Sequence, residues 1–253
     1  MPDVSRPDHL PNRRPGKSPP HPSWLPRQRR GTTPQMIGRY PDFDVFDAFG
    51  TWDDATKRVV LARLEPPGPL RFFTPAQEPT LRAFCDTVLA QDTEPRVPVA
   101  EMVDTKLADA TLAGGTLDGY QYADMPDDRD TWRLVLAGLD HTAMAGYHVD
   151  FAGCTAARRE NIVGEFAQGR LVGGAWEQLN VTRAWSVVMR AALAAFYSHP
   201  WAWNEIGFGG PAYPRGFLRL GGPGTNGAGA REPFETPGAT DEDPVREVEG
   251  ERD

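Results

Sequence analysis

Residues 74–89 read TPAQEPTLRAFCDTVL. Thr74 is a good N-cap. Pro75 suits the first helical position, where its missing N–H would have had no intrahelical partner. Gln77 stands three residues after the cap, so its side chain can reach back to the cap's N–H. From there Leu81, Phe84, Cys85, Val88 and Leu89 fall at i, i+3, i+4, i+7 and i+8, one apolar stripe along a helix. The same period returns in Val99, Met102, Val103 and Leu107, and again in Trp132, Val135, Leu136 and Leu139. A shorter helix is predicted over Ala156–Gln168, capped by Thr155, with Ile162, Val163 and Phe166 inward. The longest is predicted from about Ala175 to Ser198, with a stripe of Trp185, Val188, Met189, Ala192, Leu193 and Phe196. Upstream, Thr51 can cap a helix at Trp52–Leu64, which Pro66, Pro67 and Pro69 bring to an end. Strict apolar–polar alternation is almost absent, and only a pair of short strands near Gly114–Tyr122 stays open. The pattern predicts an all-α protein, a compact bundle of about six helices, with no internal repeat.

The ends of the chain have a different composition. Residues 1–40 hold nine Pro and eight Lys or Arg, against only Asp3 and Asp8 as acids. Residues 231–253 hold nine acids against Arg231, Arg246 and Arg252. Neither end can bury enough apolar area to offset the entropy of ordering it. A disordered, basic, Pro-rich arm is therefore expected at 1–40, a helical domain at 41–221 and a disordered acidic tail at 222–253.

Charge and cysteine content exclude several functions. A formal net charge of −8 argues against a nucleic-acid partner, which needs a basic face to displace counterions. Cys85 and Cys154 are the only cysteines, and neither stands in a CxxC or CxxCH run, which argues against covalent haem and a protein-held iron–sulfur cluster. Arg13-Arg14 and Arg29-Arg30 are twin arginines, but Pro15-Gly16-Lys17 and Gly31-Thr32-Thr33-Pro34 follow them where a Tat or Sec signal needs an apolar region. No run of ~18 apolar residues could span a bilayer; Arg190 interrupts the best candidate. The chain is expected in the cytoplasm, or exported only with a partner.

Residues 199–220 read HPWAWNEIGFGGPAYPRGFLRL. Their prolines and glycines predict a coil. Yet Trp201, Trp203, Phe208, Tyr213 and Phe217 are large aromatics that need a surface to cover them, their own core or a partner's. Trp and Tyr bury much area for few frozen torsions, which suits them to interfaces. Asn204 can pin a turn in such a coil, and Glu205 can accept from free N–H groups or from a partner's Arg. Gly207–Ala212 matches a dinucleotide fingerprint only in spacing, since it follows a helix instead of a strand and Pro211 opposes the helix required next. His199 ends the long helix, where a cationic ring would favour the last carbonyls. His141 and His148 are seven residues apart, and Gly146 is expected to end their helix between them. HExxH and GxSxG motifs are missing.

Phe72-Phe73-Thr74-Pro75, followed by an amphipathic helix ending near Asp92 and Pro95, resembles the start of the gluconate 2-dehydrogenase subunit 3 family. The run Ala195-Phe196-Tyr197-Ser198-His199-Pro200, continuing through Asn204 to Ile206-Gly207-Phe208 and Pro211, resembles that family's closing motif. The similarity covers roughly residues 70–221. It implies a small, cofactor-free subunit accompanying a large FAD-dependent dehydrogenase of the glucose–methanol–choline type, with a cytochrome subunit often taking the electrons onward. The small subunit would support folding, stability or export of the large one. Many members of the family carry a Tat signal for the pair, and this sequence departs from them there.

The leading expectation is thus a non-catalytic accessory subunit. It has no catalytic, cofactor or metal residues of its own, and its partner interface lies at Trp201, Trp203, Asn204, Glu205, Phe208 and Tyr213. Two alternatives stand beside it. One is a stand-alone enzyme or metal-binding protein using His199 and Glu205; the other is a transient chaperone of the flavoprotein.

Overall fold

The computed structural model describes residues 45–65, 67–91, 96–109, 116–117, 122–206 and 208–211. The basic arm at 1–40, the acidic tail at 222–253, Tyr213, Phe217 and most of Gly114–Tyr122 lie outside the described residues. The described residues form helices with no strand among them: η1 (Val45–Thr51), α1 (Asp54–Ala62), α2 (Glu78–Leu89), α3 (Val99–Ala108), α4 (Asp128–Tyr147), α5 (Ala156–Ala167), η2 (Gly174–Gln178), α6 (Val181–Phe196) and α7 (Pro200–Ile206), where η marks a 3-10 helix. The all-α class is as the periodicity indicates. Two units divide the chain, a continuous one from Pro66 to Phe196 and a split one made of Met1–Glu65 with Tyr197–Asp253.

In the continuous unit, α2 packs on α5, α3 on α6, and α4 on both α6 and η2. Leu81, Phe84, Cys85 and Leu89 of α2 are buried, as are Trp132, Val135, Leu136 and Leu139 of α4. The Thr74–Gln77 pair forms as its spacing suggests, with the Gln77 side chain accepting from the Thr74 N–H at 3.1 Å. Regular helix nevertheless begins only at Glu78, four residues after the cap. Pro79 has no N–H to bond the Pro75 carbonyl, so the first turn stays a separate turn closed on the Thr74 carbonyl.

Four other readings need correction. Asp53, not Thr51, caps α1, its side chain accepting from the Thr56 N–H at 2.8 Å, so the helix starts at Asp54 and Trp52 lies before it. The longest helix is α4, with 20 residues, and not the one after Ala175. That later segment breaks into η2 and α6 because Asn180 caps a fresh start, its side chain accepting from the Arg183 N–H. Gly146 does not end α4. The helix runs on to Tyr147 and closes at His148, whose left-handed φ of 60° lets its N–H bond the Met144 carbonyl. Finally, the buried face of α6 is rotated by one residue from the expected stripe. It is lined by Ala184, Val187, Val188, Ala191, Ala192 and Ala195, while Trp185, Met189, Leu193 and Phe196 are outside that line. Alanines let a helix approach its neighbours closely, so the innermost line goes to the small residues and the large ones fill the sides.

Asp104 contributes something periodicity does not show. It is 1% exposed on α3. One carboxylate oxygen accepts from the N–H groups of Phe72 and Phe73, at 2.9 Å each, and the other from Arg71 at 2.7 Å. That clamp fixes the segment in front of Thr74 and sets the Phe73 ring edge-on to Trp132, 6.1 Å between centroids.

Candidate functional site: an aromatic cluster in the split unit

The split unit is built around α7, a segment whose composition predicts coil. Residues 200–206 are helical because Pro200 occupies the first position, where no N–H is needed. His199 supplies the start: its Nδ1 accepts from the Trp201 N–H at 3.2 Å, and its carbonyl accepts from Ala202 at 3.0 Å. The helix is shut off when the Phe208 N–H turns back to the Trp203 carbonyl at 2.9 Å. Gly210 then adopts a left-handed φ of 76° where a Cβ would sit 2.8 Å from Trp52 and 2.9 Å from Val45, so glycine is required twice over.

Trp203 is 3% exposed and packs with Val45, Phe46, Trp52 and Val60. Its Nε1 donates to the Tyr197 carbonyl at 2.6 Å. The Phe46, Phe49 and Trp52 rings stand tilted or edge-on to each other, 5.8 to 6.1 Å apart. Arg63, just beyond α1, lies over the Trp203 ring at 5.6 Å and donates to the Ser198 carbonyl at 2.6 Å. Burial lowers the Arg63 pKa. Among the described residues no carboxylate pairs with it. The indole Nε1 atoms of Trp52 and Trp201 are covered and have no acceptor among the described residues.

The expected interface residues therefore separate. Trp203 is interior, and Trp201 is half-buried beside His199, 4.8 Å ring to ring. Phe208 stands 48% exposed, edge-on to Trp203 at 5.7 Å. Asn204 and Glu205 belong to the last turn of α7 instead of a coil, and their side chains lie outside the described ones, as does Tyr213. His199 does not carry the cationic role its position suggests. It is 1% exposed, and burial pushes its pKa down to about 4, against a backbone hydrogen bond at Arg63 that pulls the other way. The ring is neutral near pH 7 and serves as a helix-capping acceptor.

His141 is separate from this cluster. It lies in the continuous unit against Gly174, where a Cβ would meet the ring at 2.8 Å. Among the described residues no three of His, Cys, Asp or Glu gather as a metal-holding group, and no helix is long and apolar enough to cross a membrane. Arg63, Phe46 and Phe49 are not singled out by the sequence pattern above. The spacing of Phe46, Phe49 and Trp52, three residues at each step, is the available signal for the two phenylalanines.

No curated protein and no solved structure matches the chain. The gluconate 2-dehydrogenase subunit 3 description matches residues 75–210, more than half of the 253. The match opens at Pro75, in the turn the Asp104 clamp precedes, and ends at Gly210, where the aromatic cluster closes. The chain belongs to the gluconate 2-dehydrogenase subunit 3 family.

Proposed function

We propose that this protein is a non-catalytic accessory subunit of a dehydrogenase complex. It binds a large FAD-dependent subunit of the glucose–methanol–choline type and stabilises it or helps it mature. The family match over residues 75–210 carries the reading. In this proposal FAD and the substrate site belong to the partner, and this chain holds no cofactor. A cytochrome subunit is a further candidate member of the complex. The chain resides in the cytoplasm or leaves it only with its partner.

The exposed Phe208, held edge-on by a buried Trp203, is the side chain best placed to anchor the partner: a large aromatic with half its surface still to bury. Trp201 belongs to the same helix. His199 supports the stand-alone enzyme reading less well, because it is enclosed and its Nδ1 is already engaged.

The test is a pull-down of the tagged chain from its host, with partners identified and flavin assayed. Equimolar recovery of a large flavoprotein is expected, and Phe208→Ala should lower that recovery at least about tenfold while the variant keeps its helical circular dichroism. Trace recovery during synthesis alone would make the chain a transient chaperone. A chain that comes out with no flavoprotein would overturn the proposal.

A further inference from the structure

Arg63 is a half-buried guanidinium whose described partners are a carbonyl and an aromatic face, with no acid. A cation withdrawn from water is normally paired, because its lost hydration is otherwise uncompensated. The helix before it carries two more cations, Lys57, reaching Asp54 at 3.8 Å and lying over Phe49, and Arg58, bonded to the Asp54 carbonyl, while the exposed Glu65 follows Arg63 by two residues. Asp53 and Asp54 stand at the opposite end of α1, where Asp53 caps Thr56. The Arg63 end of α1 thus presents a cation fit for a carboxylate.

The chain carries such carboxylates, and the last described residues before them are Gly210 and Pro211. Gly210 abuts both Trp52 and Val45, and the edge of Trp52 facing it leads to the indole Nε1 that has no acceptor. The nine acids of residues 231–253 follow after a stretch in which 221–230 carry no charge. The twenty-one residues from Pro211 to Arg231 can span up to about 70 Å, ample for a return to α1. A tethered acid also acts at an effective concentration on the order of millimolar, so a weak pair suffices.

We propose that the acidic segment 231–253 of this same chain docks on the split unit, with one of its carboxylates paired to Arg63. This fold-back does not depend on the flavoprotein reading, because its site and its occupant are both in this chain.

Dyes on Val59→Cys and Gly250→Cys of the full chain report it by energy transfer. Val59 is 56% exposed on α1, and the native Cys85 and Cys154 are buried and stay unlabelled. High transfer is expected in about 0.02 M NaCl, falling at least about twofold in about 0.5 M NaCl as the screening length shrinks from roughly 20 Å to roughly 4 Å. Arg63→Gln should give the high-salt value at low salt. So should a chain whose tail acids become amides (Asp241→Asn, Glu242→Gln and the rest), and that variant leaves the described residues untouched. Transfer that ignores both salt and tail neutralisation would overturn the proposal. So would transfer that falls on dilution, since the tail would then be docking on a second copy. Full transfer in a folded Arg63→Gln variant would overturn the pairing with Arg63.

Discussion

Replacing Asp104 tests whether a single carboxylate holds the entry to the family-matched segment. Its three acceptor bonds reach Arg71, Phe72 and Phe73, and only the last is fully buried. Net hydrogen bonds to charged groups are worth about 1.5–3 kcal/mol each. Three such terms overstate the loss, because the Arg71 and Phe72 N–H groups can regain water in the variant. For Asp104→Ala we therefore expect a loss of about 4 kcal/mol. Asp104→Asn keeps the shape. Its carbonyl oxygen can serve Phe72 and Phe73, but its amide then turns an N–H toward the Arg71 N–H. That arrangement loses one bond and the charge on the others, a cost of about 2 kcal/mol. Urea titration followed by circular dichroism measures both, with Asp130→Asn as a control. Asp130 is largely exposed and reaches Arg133 at 3.4 Å, so the control should move by less than about 0.5 kcal/mol. If Asp104→Asn unfolds within about 0.5 kcal/mol of wild type, the clamp contributes no net stability and this account of the 71–75 entry is wrong.

Other outcomes follow from single contacts. Gly138→Ala would place its Cβ 2.5 Å from Trp176 and should cost about 1–3 kcal/mol, whereas Gly146→Ala meets nothing within 4 Å on the same helix and should stabilise by up to about 1 kcal/mol; thermal melts of the pair decide it. His199, held neutral in the fold with its pKa down at about 4 against an ordinary 6.5, binds fewer protons folded than unfolded between those values. Stability should therefore fall as pH drops from about 6.5 toward 4, by roughly 2–3 kcal/mol, and His199→Asn should flatten that slope in urea titrations at about pH 7 and about pH 4.5. Burial raises the pKa of both Cys85 and Cys154, so a thiol reagent at about pH 7.5 should label neither on mixing and both in denaturant; rapid native labelling of one per chain would contradict their placement.

The helices were legible in the sequence because apolar periodicity is local and needs no knowledge of the partner. Leu81, Phe84, Cys85 and Leu89 are buried for that reason. What failed depended on neighbours or on fine position. Side-chain size suggests Trp185 and Phe196 on the inner face of α6. Packing places Ala184, Ala191 and Ala195 there, residues that permit close approach, beside the expected Val188 and Ala192. The prolines and glycines around α7 predict coil by their number, although Pro200 stands where a helix tolerates it and Gly207, Gly209 and Gly210 come after the last turn. Asp104 had a readable signal, an acid set between Val103 and Leu107 on an apolar face. Its target, the backbone of 71–73, could not be read, since nothing in the pattern says which N–H groups lie opposite. Trp203 and Phe208 are equally aromatic in sequence. Only the packing of Val45, Phe46, Trp52 and Val60 against Trp203, from far away in the chain, separates the interior ring from the exposed one.

That separation bears on how a partner could be held. The family match begins at Pro75, so the residues covering Trp203, namely Val45, Phe46, Trp52 and Val60, all lie outside the matched segment. The cover is supplied by this chain and is already complete, with Trp203 at 3% exposure. Drawing Trp203 into an intermolecular contact would first require stripping that cover away, at a cost of the order of the ~3–5 kcal/mol that losing a buried tryptophan entails. Phe208 needs no such opening. It follows α7 directly, its backbone is tied to Trp203, and the glycine at 210 that seats the chain on Trp52 fixes its position. A partner docking on this unit would gain area from Phe208 without disturbing the core beneath it, and the buried tryptophan acts by holding that ring in place.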